Sequence, residues 1–439
     1  MTKKLFYEDA YMKEFDAEVV AVKEKGDKLL VSLDQSAFYP EGGGQGADDG
    51  ELIIMDGTTR TEKTGNEVEQ KNAQSSGDAT DKIKIKVVDV HESDEEIWHT
   101  VVIENLGKSA EAEGNANEGF DFLKPGTKVH GIINWEKRFD HMQQHSGEHI
   151  VSGIICRMFN CDNVGFHMGE DAVTIDYNAR ISMEDAKKVE EEALKYIWDA
   201  HDFVQLWPSK EELKEIDYRS KKELEGAVRI TSFPGADTCA CCGTHVKNSA
   251  EVGLVKLVSA HNFHEGTRLE LYCGKRALDF LSMNLEENKK IAVLLSTKED
   301  KTFAVVKKQQ EDFIKLKSEM NTLENSYLKK LADEWEGKEN AVIVSQTCTA
   351  TAGRNLADLV ADKVEKMAAV FTKSPEEENV YRFAICARGQ DIAGFVKDMN
   401  LALNGRGGGK NGFAQGTVNA SANEIENYFA GKGYESMNF

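Results

Sequence analysis

Phe139-Asp140-His141-Met142-Gln143-Gln144-His145-Ser146-Gly147-Glu148-His149-Ile150 is the stretch on which the reading of this chain turns. Phe139, Met142, Ile150, Ile154 and Met158 recur at helical spacing, so from Glu136 onward an amphipathic helix packed on a core is expected. His145 and His149 stand four apart close to that face, and two such side chains project from one side of a helix about a turn from each other. Two ligands of a single cation need that placement. A second string, Cys241-Cys242-Gly243-Thr244-His245, repeats the four-residue step with a thiolate and an imidazole. It follows a strand-like Val228-Arg229-Ile230 and a Pro234-Gly235 turn, so it is expected on a strand-to-loop segment. Three imidazoles and one sulfur suit Zn²⁺, which favours tetrahedral N/S sites. Cys239 and Cys242 are rival sulfur ligands, and His141, four residues before His145, is a further candidate on the helix.

Outward from this centre, the N-terminal side is β-rich. Val19, Val20 and Val22, then Leu29 to Leu33, read as strands around the turn Lys25-Gly26-Asp27, and Leu52–Met55, Ile83–Val90, Ile97–Val101 and Val129–Trp135 continue the extended pattern. His99 and His130 read as ordinary strand histidines. Between the strands lies Ser36-Ala37-Phe38-Tyr39-Pro40-Glu41-Gly42-Gly43-Gly44-Gln45-Gly46, whose glycines allow close backbone approach and whose glutamine presents an amide. It lacks the lysine of a P-loop. The polar runs Thr58–Asp81 and Gly107–Gly119 read as solvated insertions.

On the C-terminal side, Val173–Tyr177 reads as a strand, Ser182–Ala200 as a helix opened by a Ser182/Asp185 capping pair, and Ser209–Leu224 as a second helix of that kind. Strands at Val252–Val258 and Arg268–Cys273 form a hairpin. From Arg276 to Trp335 the pattern is helical with a break near Ser296-Thr297; Val306, Phe313, Met320 and Tyr327 recur every seven residues, with Leu316 and Leu323 between them, as in a coiled-coil seam. The last hundred residues read as a small α/β module. It contains Asn404-Gly405-Arg406-Gly407-Gly408-Gly409-Lys410-Asn411-Gly412, in a stretch with no acid between Asp398 and Glu424, and this is expected to be a cationic, backbone-exposing loop suited to phosphate. The expected class is α+β. Its parts are an N-terminal barrel-like β domain (1–135), a zinc-binding domain (136–275), a helical spacer (276–338) and a C-terminal module for nucleic acid or dimerisation (339–439).

A chain of 439 residues, 40% hydrophobic and 30% charged, can bury several cores. It has no apolar run of membrane-spanning length and no signal-like start, and its eight cysteines are sparse, with three crowded near a histidine. A cytoplasmic, metal-binding protein is expected. The net charge of −22 confines any nucleic-acid contact to local patches.

In their order along the chain, Phe38-Tyr39-Pro40-Glu41-Gly42-Gly43-Gly44-Gln45, the His145/His149 pair, Cys241-to-Val246 and the Gly405–Gly416 stretch resemble the long form of the free-standing alanyl-tRNA editing proteins (AlaX). These are relatives of the editing and C-terminal parts of alanyl-tRNA synthetase. Cys242 stands where that family usually has glycine, and Ser36 where threonine is usual. The resemblance implies a hydrolase that removes serine or glycine wrongly attached to tRNA specific for alanine, with zinc on His145, His149, Cys241 and His245. It further implies Gln45 orienting water or substrate, Ser36, Gly43 and Gly44 at the substrate, and Arg406, Gly407, Gly408, Gly409 and Lys410 on the tRNA. A homodimer contact through the spacer or the last module is a further expectation. Two rivals come from other classes: His145-x-x-Glu148-His149 matches the inverted zinc-peptidase pattern with Glu148 as general base, and a non-catalytic RNA-binding protein could use the same ligands for structural zinc.

Overall fold

The computed structural model describes residues 1–25, 28–55, 83–102, 123–169, 171–220 and 226–439. The expected insertions Thr58–Asp81 and Gly107–Gly119, and Gly26-Asp27 of the first turn, lie outside the described residues. The chain divides into two compact units, Met1–Glu287 and Asn288–Phe439.

The first unit opens with a closed six-stranded barrel in the order Glu14–Lys25, Lys28–Leu33, Glu96–Val102, Lys84–Ser93, Gly50–Ile54, Lys128–Ile133. Closure depends on the long first strand, which pairs with Lys28–Leu33 along one half and with Lys128–Ile133 along the other. Its register shifts between Val19 and Ala21, and the Lys84–Ser93 strand shifts between Val87 and Asp89; such irregularities bend strands enough to close a small barrel. Alternate residues Phe15, Val19, Val31, Leu33, Leu52, Ile85, Val87 and Val101 fill the interior.

The barrel runs directly into the helix Trp135–Phe159, capped by Asn134 and ended by Asn160 in the left-handed region (φ 49°). Its buried face packs with Val173, Ile175, Leu257 and Leu271 of an antiparallel sheet ordered Val255–Phe263, Gly266–Cys273, Val173–Tyr177, Asn163–Met168. The helix Met183–Trp198 carries the full Ser182/Asp185 capping box and joins the same core through Ala186, Val189, Ala193 and Ile197. A three-stranded sheet, Val204–Leu206, Ile230–Phe233 and Asp237–Ala240, delivers the cysteine string. The helix expected over Ser209–Leu224 is present only at Lys210–Leu213 among the described residues. Its capping box forms, but it buries no side chain, so nothing sustains it beyond one turn.

In the second unit the helix Thr302–Asp333 leads to a six-stranded mixed sheet ordered Gly405–Lys410, Phe413–Asn419, Val380–Cys386, Met367–Lys373, Asn340–Ser345, Ser436–Asn438. The seven-residue recurrence lies on that helix and stays exposed: Phe313, Leu316, Met320 and Leu323 are each more than half accessible. Helices Ala350–Ala361 and Ala422–Ala430 cover the sheet. The glycine-rich stretch is not an irregular loop but an edge strand turned by Asn411-Gly412, both at positive φ (55° and 76°), the backbone of a tight hairpin turn. Among the described residues, no helix is long and apolar enough to cross a membrane.

Candidate metal centre and active site

The long helix turns His145 and His149 toward the end of the Asp237–Ala240 strand, where Cys241 and His245 meet them. One ligand atom from each of these four lies within 4.8 Å of the others, and His145, His149 and His245 are almost fully buried. Cys241 Sγ sits 3.4 Å from His145 Nε2 and 3.3 Å from His245 Nε2. Bond lengths typical of tetrahedral zinc place sulfur and nitrogen ligands about 3.6 Å apart, so the spacing fits that ion.

Each imidazole is fixed through its other nitrogen. His145 Nδ1 is 3.0 Å from Gln45 Oε1, His149 Nδ1 is 2.8 Å from Asp237 Oδ2, and His245 Nδ1 is 3.3 Å from Ser146 Oγ. All three Nε2 atoms are thereby left for the centre, and among the described residues His149 Nε2 is buried with no hydrogen-bond partner. Such outer partners set tautomer and ring orientation in metal-binding histidines. Arg219 in turn grips Asp237 through Nη2 at 2.7 Å. Burial alone pushes the Asp237 carboxyl upward, but the hydrogen bonds and charges of His149 and Arg219 outweigh it and hold the group down to about 2. Burial, reinforced by the two neighbouring histidines, drives His245 well below its ordinary value and keeps it neutral, the state in which imidazole ligates. Burial pushes the Cys241 thiol up, and a bound cation opposes that directly by stabilising the thiolate.

The glycine-rich segment packs against this centre. Gln45 is fully buried: its Oε1 accepts from Thr244 N at 3.0 Å and its Nε2 donates to Thr244 Oγ1 at 2.8 Å, tying the two strings together. Gly44 takes φ +89°, and a Cβ there would lie 2.5 Å from the Phe166 ring, which stacks on His145. Gly243 has no room either, since a Cβ would meet His145 Cε1 at 2.1 Å. Gly43 lies against Cys242, whose Sγ is 3.8 Å from the Tyr39 hydroxyl, apart from the four-ligand group. Cys239 joins only a second grouping, with His149 and Asp237. His141 is buried outside both groupings, and its Nδ1 has no hydrogen-bond partner among the described residues. Ser36 lies in the barrel interior, 2.8 Å from His99 Nε2; burial holds His99 neutral, at about 4. Arg406, Gly407, Gly408, Gly409 and Lys410 belong to the second unit and are exposed along the edge strand.

Two features were not anticipated from the sequence. Arg138 is completely buried and bonds bidentately with Asp48 while donating to the carbonyls of Ala10 and Ala37. Asp48 also accepts from Tyr39 N, so this pair clamps the glycine-rich segment to the histidine helix. The spacing 138, 142, 145, 149 places Arg138 on the buried helix stripe, and that was the available signal. Glu148 is likewise buried; its Oε1 accepts from Ser152 Oγ at 2.7 Å and Asn163 Nδ2 at 2.6 Å.

Residues 228–269, which include the cysteine string, match the family described as the threonyl and alanyl tRNA synthetase second additional domain. Among full-length relatives, an alanyl-tRNA editing protein AlaX-L of Pyrococcus horikoshii is 27% identical over 97% of this chain and 96% of its own length. The AlaX-M protein of Methanosarcina acetivorans is 30% identical over 61% of this chain and 97% of its own length. An alanine–tRNA ligase of Pyrococcus furiosus is 28% identical over 78% of this chain but only 33% of the ligase. The chain belongs to the alanyl-tRNA editing protein family.

Proposed function

We propose that this protein is an aminoacyl-tRNA deacylase that hydrolyses the ester of serine or glycine wrongly attached to tRNA specific for alanine. The observation that carries this reading is the meeting of His145, His149, Cys241 and His245 within 4.8 Å, in a chain of the editing family. Zinc held by these four residues would polarise an ester carbonyl or lower the pKa of water toward about 7.

The protein's own groups supply the rest. Gln45 acts on His145 and Thr244, holding the ligand string in register, and brings Gly43 and Gly44 to the substrate side. Ser36 is fully buried with its hydroxyl engaged by His99 Nε2 and by Phe38 N, so its part in this reading is to hold the segment leading to Gly43, Gly44 and Gln45 rather than to touch the amino acid. Glu148 spends an oxygen on Ser152 and Asn163, which supports a structural role for it over that of a peptidase base. In the second unit, Arg406 and Lys410 on the exposed edge strand Gly405–Lys410 contact the tRNA backbone.

The test is to incubate the protein with seryl-, glycyl- and alanyl-tRNA specific for alanine and with a peptide, each with and without a chelator. Chelator-sensitive release of serine or glycine supports editing. Tight tRNA binding without ester cleavage would replace it with a binding role, and chelator-sensitive peptide cleavage with a peptidase.

A further inference from the structure

Beside the four-ligand cluster opens a cavity of about 680 Å³, within the usual range for small-ligand sites. Ala240, Cys241 and Cys242 form one wall, the strand end that carries the sulfur of the cluster. A molecule lying in the cavity therefore ends next to the centre.

Another wall is aromatic. Tyr7 and Trp207 meet edge to face, with ring centroids 5.5 Å apart and planes at 74°, so the indole is held in one orientation. Trp207 is nevertheless 53% exposed, an unusual state for the largest apolar side chain, and it leaves the ring surface available. Arg229 borders the same cavity and is only 5% exposed. Its Nη1 donates to the carbonyls of Cys241 at 3.1 Å and Gly243 at 2.6 Å, and its guanidinium lies 5.1 Å from the centre of the Tyr7 ring. Its Nε and Nη2 are buried with no hydrogen-bond partner among the described residues. Of the other charged residues on the lining, Lys4 and Glu92 pair with each other at 2.7 Å and Lys3 pairs with Glu8 at 3.0 Å, while Glu95 is exposed at the rim. A flat aromatic face, a buried guanidinium with two nitrogens that have no partner among the described residues and a candidate metal centre at one end match a ligand with a planar base, an oxygen-rich middle and an ester.

We propose that this cavity receives the 3′-terminal nucleoside of the aminoacyl ester, its base stacked on Trp207 and its sugar and phosphate oxygens drawn by the charge of Arg229. This places the ester at Cys241. The inference rests on the deacylase reading and adds a recognition site to it. Base–aromatic stacking tolerates any base, so the cavity fixes position while the rest of the tRNA supplies identity.

The experiment uses full-length protein and the uncleavable amide 3′-serylamino-3′-deoxyadenosine. Trp207→Ala is expected to weaken its binding about 10-fold, and to raise KM for seryl-tRNA rather than lower kcat, with zinc content unchanged. Trp207→Phe, which keeps a stacking face, should restore most of the affinity. Unchanged affinity in Trp207→Ala, while the wild type still cleaves seryl-tRNA, overturns the nucleoside site and leaves the deacylase reading intact. A wild type that binds the amide through Trp207 yet cleaves no aminoacyl ester keeps the site and overturns the deacylase reading.

Discussion

Replacing Arg138 by methionine removes the cation of the buried Asp48–Arg138 pair while roughly keeping its length. In the wild type, Arg138 reaches both Asp48 oxygens at 3.0 Å through Nε and the carbonyl of Ala10 at 2.9 Å through Nη1. It also reaches the carbonyl of Ala37 through Nη2 at 2.5 Å. Asp48 is 1% exposed, so the variant strands a carboxylate and two carbonyls away from water. Breaking one side of a buried pair costs about 3–5 kcal/mol, and the loss falls on the segment that carries Gln45. Hydrogen exchange on the full chain should therefore show protection of the peptides spanning residues 37–49 reduced by roughly 10²–10⁴-fold. Adding Asp48→Asn to Arg138→Met removes the stranded charge and should recover at least about 1 kcal/mol relative to the sum of the single changes. Arg138→Met within about 0.5 kcal/mol of wild type would refute the clamp.

Three further perturbations separate the roles of neighbouring groups. Glu148→Gln keeps an oxygen for Ser152 and Asn163, so ester hydrolysis should stay within about 3-fold of wild type, whereas Glu148→Ala should lower stability by about 1–3 kcal/mol on thermal unfolding; an abolished activity in the glutamine variant would make Glu148 the base. Asp237→Asn leaves the ring of His149 without its anionic partner and should weaken zinc binding about 10–100-fold in chelator competition. In the metal-free protein the depressed Asp237 carboxyl adds stability that is complete above about pH 4 and fades as pH falls toward 2, so the asparagine variant should lose that part of the acid unfolding profile. Gly408→Asp is the clean probe of the edge strand: a Cβ at Gly408 meets nothing within 4 Å, while at Gly409 it would lie 1.8 Å from the Phe413 carbonyl. It should weaken tRNA binding about 10-fold at low salt and leave zinc content untouched; a parallel loss of zinc would refute a separate tRNA-binding role for this strand.

Periodicity made the main elements legible. Alternation predicted the barrel strands, because one face of each is buried, and the Ser182/Asp185 pair marked the start of its helix. The four residues that meet, His145, His149, Cys241 and His245, were legible as a group because a shared step of four residues is a local signal. Their supports were not: Asp237 reaches His149 across 88 residues, Gln45 reaches Thr244 across 199, and Arg138 reaches Asp48 across 90, and no local pattern encodes such pairs. The glycine-rich edge strand was misread as a loop because glycines carry no hydrophobic alternation; the Asn411-Gly412 turn signal lay within it and was the better guide. Ser209–Leu224 erred the other way, with a helix start signal but no apolar face to continue it.

The central claim is that the His145, His149, Cys241 and His245 centre hydrolyses a wrongly attached amino acid from tRNA specific for alanine. The most direct measurement is the initial rate of amino-acid release from seryl-tRNA and from alanyl-tRNA of that specificity, at matched concentration, by zinc-loaded full-length protein. With glycyl-tRNA of that specificity measured alongside, release of serine or of glycine at least about 100-fold faster than alanine release is the predicted result; equal rates, or no release of serine and glycine, would contradict it.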